Sequence, residues 1–312
     1  MLAYIVRRVL QMIPTLFGVM LLVFTLFNLF GGDPSLVLAG KHLTADTLAN
    51  IRAQLGLDKS QPQQFLIFVK QVLTLDFGTS WNTQQPVSDV IGARIGPSLT
   101  LTGALLVVDL LIAVPLAALV AYFRGGITDR IITICCTVAM SISALVYIIA
   151  GQYLLAYKLG WFPVSGWSGS FWRNLLVYVP LPMLMGLLVS LGPDIRFYRS
   201  FFVEEMNHDY VRTARAKGLS ERSVMLKHVL RNALIPVVTT VMMSLPYLLI
   251  GALVLETFFS IPGMGNAVVL AVNNSDFPII KAITVYTAIA TMIFNLLADL
   301  IYKVIDPRVT LK

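Results

Sequence analysis

The chain has 312 residues, of which 57% are hydrophobic and only 12% charged, against about 25% charged residues in ordinary soluble domains. A chain this apolar cannot cover itself with polar surface, which argues against a soluble globular protein and for an integral membrane protein. The net charge of +7 would suggest nucleic-acid binding in a soluble protein; here it reads as the excess of basic residues that fixes membrane topology.

Residues 9–30 form the first apolar run, behind a start that contains Arg7 and Arg8. The run is too long for the core of a signal peptide and no small-residue cleavage site follows, so it is expected to be a retained span with the arginine pair as its anchor. Five further stretches approach or reach the roughly 20 apolar residues that a spanning helix needs: 99–123, 131–157, 175–192, 234–255 and 279–301. Pro14, Pro115, Pro180, Pro182 and Pro246 fall within or beside these runs. Neighbouring helices can satisfy the carbonyls they free, and each is a place for a kink.

Six spans put both termini on one side. That side carries fifteen Lys and Arg residues and the other eight, five of them in the long segment 31–97. Long loops translocate regardless of charge, so the count places both termini, and the basic insert 209–236, in the cytosol.

The segment 31–97 has its own pattern. Leu48, Ile51 and Leu55 share a helical face that stops at Gly56. A second amphipathic helix of about 14 residues runs through Phe65, Val69 and Val72, too short to span and suited to the membrane surface or the bundle. Residues 76–81, DFGTSW, then turn. The segment suits a lid on the bundle and equally an outer docking or gating surface. Cys135 and Cys136 are adjacent inside an apolar run, which predicts no structural disulfide and no metal cluster. His42, His208 and His228 form no ligand pattern. Trp161, Trp167 and Trp172 in the loop 160–172 read as an interfacial aromatic belt rather than a ligand platform. In the last outer loop, a Pro262-Gly263 turn precedes a short apolar helix over 266–272 and a polar turn over 273–276.

The basic insert reads as two short helices. Asp209 is the expected N-cap of a helix over 210–217, and Gly218 suits the left-handed position after it. Ser220 caps the second helix, with Glu221 in its first turn. Met225, Leu226, Val229, Leu230 and Ala233 make its apolar side, while Lys227 and Arg231, four apart, share another face. The alternative is a solvated loop whose charges only fix topology.

Here a family resemblance appears. YVRTARAKGLS (210–220), followed by LRNALIP (230–236), resembles the cytosolic loop of ABC-importer permeases of the dipeptide/oligopeptide/nickel class. In binding-protein-dependent permeases that loop usually reads Glu-Ala-Ala, three residues, then Gly. Here Arg212-Thr213-Ala214 fills the tripeptide, with Gly218 at the matching distance, which looks like the peptide-permease version. YIVRRVLQMIPTLFGV, LGLDKSQPQQF, LDFGTSW, ETFFSIPGMGNAVVLAVNNSDFPII and NLLADLIYKVIDPRV are similar to further signatures of that class, in the same order. NNSDFP departs where the family more often carries an Arg-Asp pair.

The resemblance implies an all-α polytopic fold with six transmembrane helices, like a type I ABC importer permease with a structured outer segment after the first span. Residues 1–97 would form the first helix plus extracytoplasmic segment, and 98–312 a five-helix core with a cytosolic coupling loop over 196–233. It further implies a second homologous permease subunit, two ATPase subunits, an extracytoplasmic solute-binding protein and a bacterial cytoplasmic membrane, with no nucleic acid. The coupling residues would be Tyr210, Arg212, Thr213, Ala214, Arg215, Ala216, Lys217, Gly218 and Leu219, docking on an ATPase. ATP and Mg2+ would belong to those partners, none being bound by this chain. Small peptides are the expected cargo, with nickel or other metallophore complexes and glutathione as alternatives.

Three charges fall in or beside the apolar runs, where a charge is costly. Asp109 lies near the middle of the second; it would face the translocation path, or be held by a Ser, Thr or Tyr of another helix, or keep its proton. Glu256 ends the fifth span and resembles a family-typical position at an outer gate. Asp299 near the cytosolic end of the sixth is expected to pair with a cation. No G-x-x-x-x-G-K stretch offers an ATP-binding P-loop, and no nucleophile–base pair or metal-ligand spacing appears, so the chain is not expected to be an enzyme by itself. The rival reading, an ion-coupled secondary transporter, needs an internal repeat, and the two halves show none.

Overall fold

The computed structural model describes residues 2–30, 35, 48–50, 52–53 and 56–305. The expected outer helix through Leu48, Ile51 and Leu55 falls largely outside them, since Ile51 and Leu55 are not described. The remainder is helical: α1 (Leu2–Phe30), α2 (Gln61–Thr74), α3 (Val87–Tyr122), α4 (Ile127–Met140), α5 (Ala144–Gly151, extended by a π-helical turn to Lys158), α6 (Phe171–Arg173, extended to Tyr178) and α7 (Pro180–Glu205). After these come α8 (Asp209–Ala216), α9 (Glu221–Val224), which passes through a π-helical stretch into α10 (Leu230–Ile250), α11 (Leu253–Phe258), α12 (Met264–Asn273) and α13 (Phe277–Ile305).

Four of these helical runs are long and apolar enough to cross a bilayer: Tyr4–Asn28, Val87–Tyr122, Glu221–Phe258 and Phe277–Ile301. The other two expected spans are bent. Ile127–Met140 and Ala144–Lys158 meet at 87°, and Phe171–Tyr178 meets Pro180–Glu205 at 57°. The first bend contains neither Pro nor Gly. It follows a run of hydroxyls that bond back along the helix, Thr137 to Thr133 O and Ser141 to Thr137 O, and Ser143 then leaves the helical region at φ −62°, ψ 141°. Such back-bonding competes with the main-chain ladder and bends helices. At the second bend Pro180 lacks the N–H that would continue the ladder, and its ring crowds the preceding turn.

α3 begins at Val87, twelve residues ahead of the expected span, and its 36 residues reach about 54 Å. That exceeds the roughly 30 Å hydrocarbon core, so one continuous helix joins the outer segment to the membrane bundle. Ala113, Ala117 and Ala121 are fully buried one turn apart on it, where α7 lies alongside. Small side chains let two helices approach closely inside a membrane. Farther along the same pair, a Cβ on Gly186 of α7 would come within 2.9 Å of Leu105.

The core has three parts. Met20, Val23, Phe68, Val72, Phe77, Val87 and Ile279 join α1, α2, the start of α3 and α13. Leu101, Ile148, Leu181, Met185, Phe259 and Ile261 fill the centre. Ile195, Phe202, Val211, Val224 and Val229 seat the basic insert on α3 and α7. α2 therefore packs on the bundle rather than lying free on a membrane surface. It buries Phe68 and Val72, with Phe65 half-buried edge-on against Phe24 at 5.2 Å. Leu10, Ile13, Leu111 and Ile127 stay exposed, as expected of helices whose outer faces meet lipid or another subunit.

Candidate functional site

α8 starts one residue earlier than expected, so that the cap is His208 rather than Asp209. His208 holds the extended N-cap conformation and Asp209 is already helical, its carboxylate 3.4 Å from Arg212. The end is as the sequence implies. Gly218 has φ +79°, its N–H donates to Arg215 O at 2.9 Å, and Leu219 N–H reaches Ala214 O at 3.4 Å. This closes the orphan carbonyls of the helix with a left-handed residue. Ser220 then caps α9, its hydroxyl accepting from Ser223 N–H. The Arg215 guanidinium grips Glu221 with two contacts, at 2.8 and 3.2 Å. That pair spans the Gly218 turn and fixes the angle between the two helices.

The named coupling residues divide by face. Ala214 is buried, beside Val211, and anchors α8 to its own bundle. Arg212, Thr213, Arg215, Ala216, Lys217, Gly218 and Leu219 are exposed. Leu219 is an exposed apolar side chain at the tip of the turn. Tyr210 is half-buried and donates to Glu205 at 2.8 Å. Burial, together with the neighbouring Glu205 carboxylate, pushes its phenol up to about 12, although a hydrogen bond with Asn232 acts the other way. Tyr210 thus stays neutral and keeps donating at any physiological pH.

The expected apolar side of the second helix is only partly inward. Met225, Val229 and Ala233 are buried and Leu230 half-buried, whereas Leu226 is exposed. Lys227 and Arg231 do share a face. With Tyr210, His228, Asn232 and Ile235 they line a cavity of about 530 Å³.

Glu256 is completely buried. Its carboxylate accepts from Ser98 Oγ at 2.6 Å, from Ala252 N–H at 3.2 Å and from Asn266 N–H at 3.0 Å. Ser98 Oγ in turn accepts from Met264 N–H at 2.7 Å. One side chain therefore ties α3, the break between α10 and α11, and the first turn of α12. A buried carboxylate is tolerable when its lone pairs meet donors in this way. The glycines around it make the room. A Cβ on Gly251 would lie 2.2 Å from Glu256 Oε1, and one on Gly263 would lie 2.4 Å from the carboxyl carbon. Gly251 also has φ +79°, a backbone conformation that glycine adopts freely.

Asp109 is buried between α3 and α7, 4% exposed, and accepts from Ser190 Oγ at 2.6 Å. The expected hydroxyl partner is therefore present. Asp194, one turn along α7 from Ser190, lies close to Asp109, a neighbour that the sequence reading does not single out because its run 175–192 ends just before it. Asp109 and Glu256 both sit inside this chain's own packing in this conformation.

Two further polar ties escape the sequence reading, and a third, at Asp299, meets it. Asp276 is buried in the polar turn before α13 and receives the 76–81 turn: Ser80 Oγ and the N–H groups of Trp81, at 3.1 Å, and Asn82, at 3.3 Å, donate to it. Asp129 accepts from Gly125 N–H at 2.9 Å and pairs with Arg199 at 2.8 Å, joining the α3–α4 turn to α7. Asp299 pairs with Arg8 at 2.8 Å, as expected of it, and also accepts from Tyr4 Oη at 2.7 Å. Each of the three joins residues 70 or more positions apart in sequence.

A helical bundle with four straight and two bent candidate spans, a capped basic loop on its surface and buried polar ties between helices has the architecture of a polytopic membrane protein. The chain belongs to the inner membrane component family of binding-protein-dependent transport systems. The family's sequence pattern, "Binding-protein-dependent transport system inner membrane component", matches residues 113–311. The pattern "Binding-prot-dependent transport system membrane comp, N-term" matches residues 1–102. The chain is 36% identical over 312 residues to the glutathione transport system permease protein GsiC of Salmonella typhi, covering all of both chains. It is also 36% identical over its full length to the protein of that name from Pectobacterium atrosepticum, and 35% identical over 315 residues to that of Escherichia coli O1:K1 / APEC, again covering both chains. The chain is thus a multi-pass inner-membrane permease of an ABC importer. It works with ATPase and solute-binding partners and is not a catalyst by itself.

Proposed function

We propose that this permease carries glutathione or a closely related small peptide into the cell. The observation that carries the reading is similarity over the whole of both chains to permeases named for glutathione transport. Glutathione is one of the alternatives to the small peptides expected first from the loop signatures, and the names of these relatives favour it over them. Nothing in the fold favours a metal complex over it.

In this reading both termini and the α8–α9 loop lie in the cytosol, and the pathway runs between this chain and a second, homologous permease. Two ATPases supply ATP and Mg2+ chemistry outside this chain. Closure of the ATPase pair pushes on the exposed face of α8, formed by Arg212, Thr213, Ala216, Lys217 and Leu219. Val211 and Ala214, buried on the opposite side, pass the displacement to α3 and α7. Differential contact with the ATPases in two states then shifts the bundle between inward- and outward-open forms. Glu256 acts as a latch holding the outer loop to α3, and Asp109 as a clamp between α3 and α7, rather than as a cargo ligand.

The test is uptake by the complete importer in proteoliposomes, with its binding protein loaded in turn with labelled glutathione, a dipeptide and a nickel chelate. ATP-dependent uptake of glutathione is expected. Uptake of the dipeptide or chelate without glutathione would refute the cargo assignment. Uptake driven by a proton gradient without ATP would refute the proposed coupling.

A further inference from the structure

We infer that the cavity beside Tyr210 is a binding site for the phosphate of an anionic phospholipid. The inference rests on the cytosolic placement of the α8–α9 loop proposed above.

The lining sorts by chemistry along one helix stripe. Lys227, Arg231 and Ile235 follow one another at intervals of four, and His228 and Asn232 flank them. Residues four apart share a helix face, so the wall passes from two cations to an apolar side chain. A lipid presents its groups in the same order, phosphate first and acyl chain next. A soluble anion has no use for the apolar end.

Among the described residues, Lys227 and Arg231 take part in no ion pair, while the acidic groups nearby are engaged elsewhere. Glu205 accepts from Tyr210 and lies 3.4 Å from His208. Asp209 faces Arg212, and Glu221 is held by Arg215. Tyr210 and Asn232 add neutral polar atoms to the wall. A volume of about 530 Å³ is ample for a phosphodiester headgroup, and a guanidinium and an ammonium on one face offer the charge-assisted hydrogen bonds a phosphate takes. The cavity lies between the coupling helix α8 and the helix that enters the membrane, so a lipid seated there would brace the two.

Native mass spectrometry of the full-length chain in detergent, titrated with phosphatidylglycerol, phosphatidylcholine or inorganic phosphate, tests this. One phosphatidylglycerol is expected to be retained by the wild type. K227Q/R231Q should reduce its retention at least tenfold, since each charged hydrogen bond is worth about a tenfold change in binding or more. K227R/R231K should keep it, which separates loss of charge from misfolding. Retention of inorganic phosphate with the same dependence on the two cations would support the phosphate site and assign its source to solution. Equal retention of phosphatidylglycerol and phosphatidylcholine, or equal retention by wild type and K227Q/R231Q, would overturn it. So would crosslinking of K227C directly to the ATPase in the assembled importer, because the cavity would then be filled by protein. None of these readouts depends on the cargo or on ATP-driven uptake.

Discussion

Replacing Glu256 by Gln changes one atom and no volume, so it isolates the carboxylate's role. The wild-type group offers only acceptors, and three donors converge on it: Ser98 Oγ, Ala252 N–H and Asn266 N–H. A carboxamide keeps one acceptor oxygen and turns the other position into a donor. If its oxygen stays with Ser98 and Ala252, its NH2 faces Asn266 N–H; if it flips, it faces two donors. At least one buried donor loses its partner, at a cost of about 1–3 kcal/mol. Glu256→Ala removes all three acceptor contacts and should cost about 3–5 kcal/mol, as for breaking a buried charged network. Thermal unfolding of the purified importer, followed by loss of monodispersity, should rank wild type above Glu256→Gln above Glu256→Ala. Ser98→Ala should be strongly non-additive with either variant, because the two residues share one hydrogen bond. Access of a membrane-impermeant thiol reagent to a cysteine placed at Asn274, which is exposed at the end of α12, should rise in both Glu256 variants. A Glu256→Gln protein with unchanged melting, reagent access and uptake would refute the latch, since a carboxylate seated among three donors cannot be exchanged freely.

Other expectations follow from the same geometry. Leu219→Asp and Lys217→Glu, on the exposed tip, should weaken ATPase co-purification while leaving the melting temperature of the permease within about 0.5 kcal/mol equivalent; a loss of thermal stability in their place would show the tip to be part of the core. Ala214→Asp should instead lower stability by several kcal/mol in the isolated chain, because a carboxylate would enter an apolar cluster, and unaltered melting would contradict the inward placement of that face. Asp109→Asn should retain stability, its amide oxygen still accepting from Ser190, whereas Asp109→Ala should lose about 2–4 kcal/mol; a change of cargo preference with Asp109→Asn at unchanged stability would place Asp109 on the pathway. Asp276→Ala should free Ser80 and the Trp81–Asn82 backbone, read as a red shift and increased quenching of Trp81 fluorescence in a protein with the other three tryptophans replaced by Phe.

Much of this molecule is legible from composition and short motifs. Apolar run length locates the four straight and two bent candidate spans because backbone hydrogen bonds must be satisfied within the bilayer. The Gly218 turn is readable because left-handed backbone favours glycine and because helix ends need partners for their carbonyls. The order of the loop signatures points to the permease family before any coordinates are considered. These features are local, or depend only on how much apolar surface a stretch carries.

The rest depends on pairs of residues distant in the chain, and single-sequence pattern has no access to them. Nothing around Ser98 announces that it will meet Glu256, 158 positions later, and nothing around the 76–81 turn points to Asp276. The 87° bend at residues 141–143 has no Pro or Gly to mark it, because it arises from hydroxyls competing for carbonyls. In sequence the basic insert reads as two short capped helices, the second with an apolar side and a basic face. The tertiary structure separates it into an exposed tip, a buried anchor at Val211 and Ala214, and a basic cavity at Lys227 and Arg231. Burial decides which charges meet solvent, and burial is a property of how helices pack, not of the residues taken one stretch at a time.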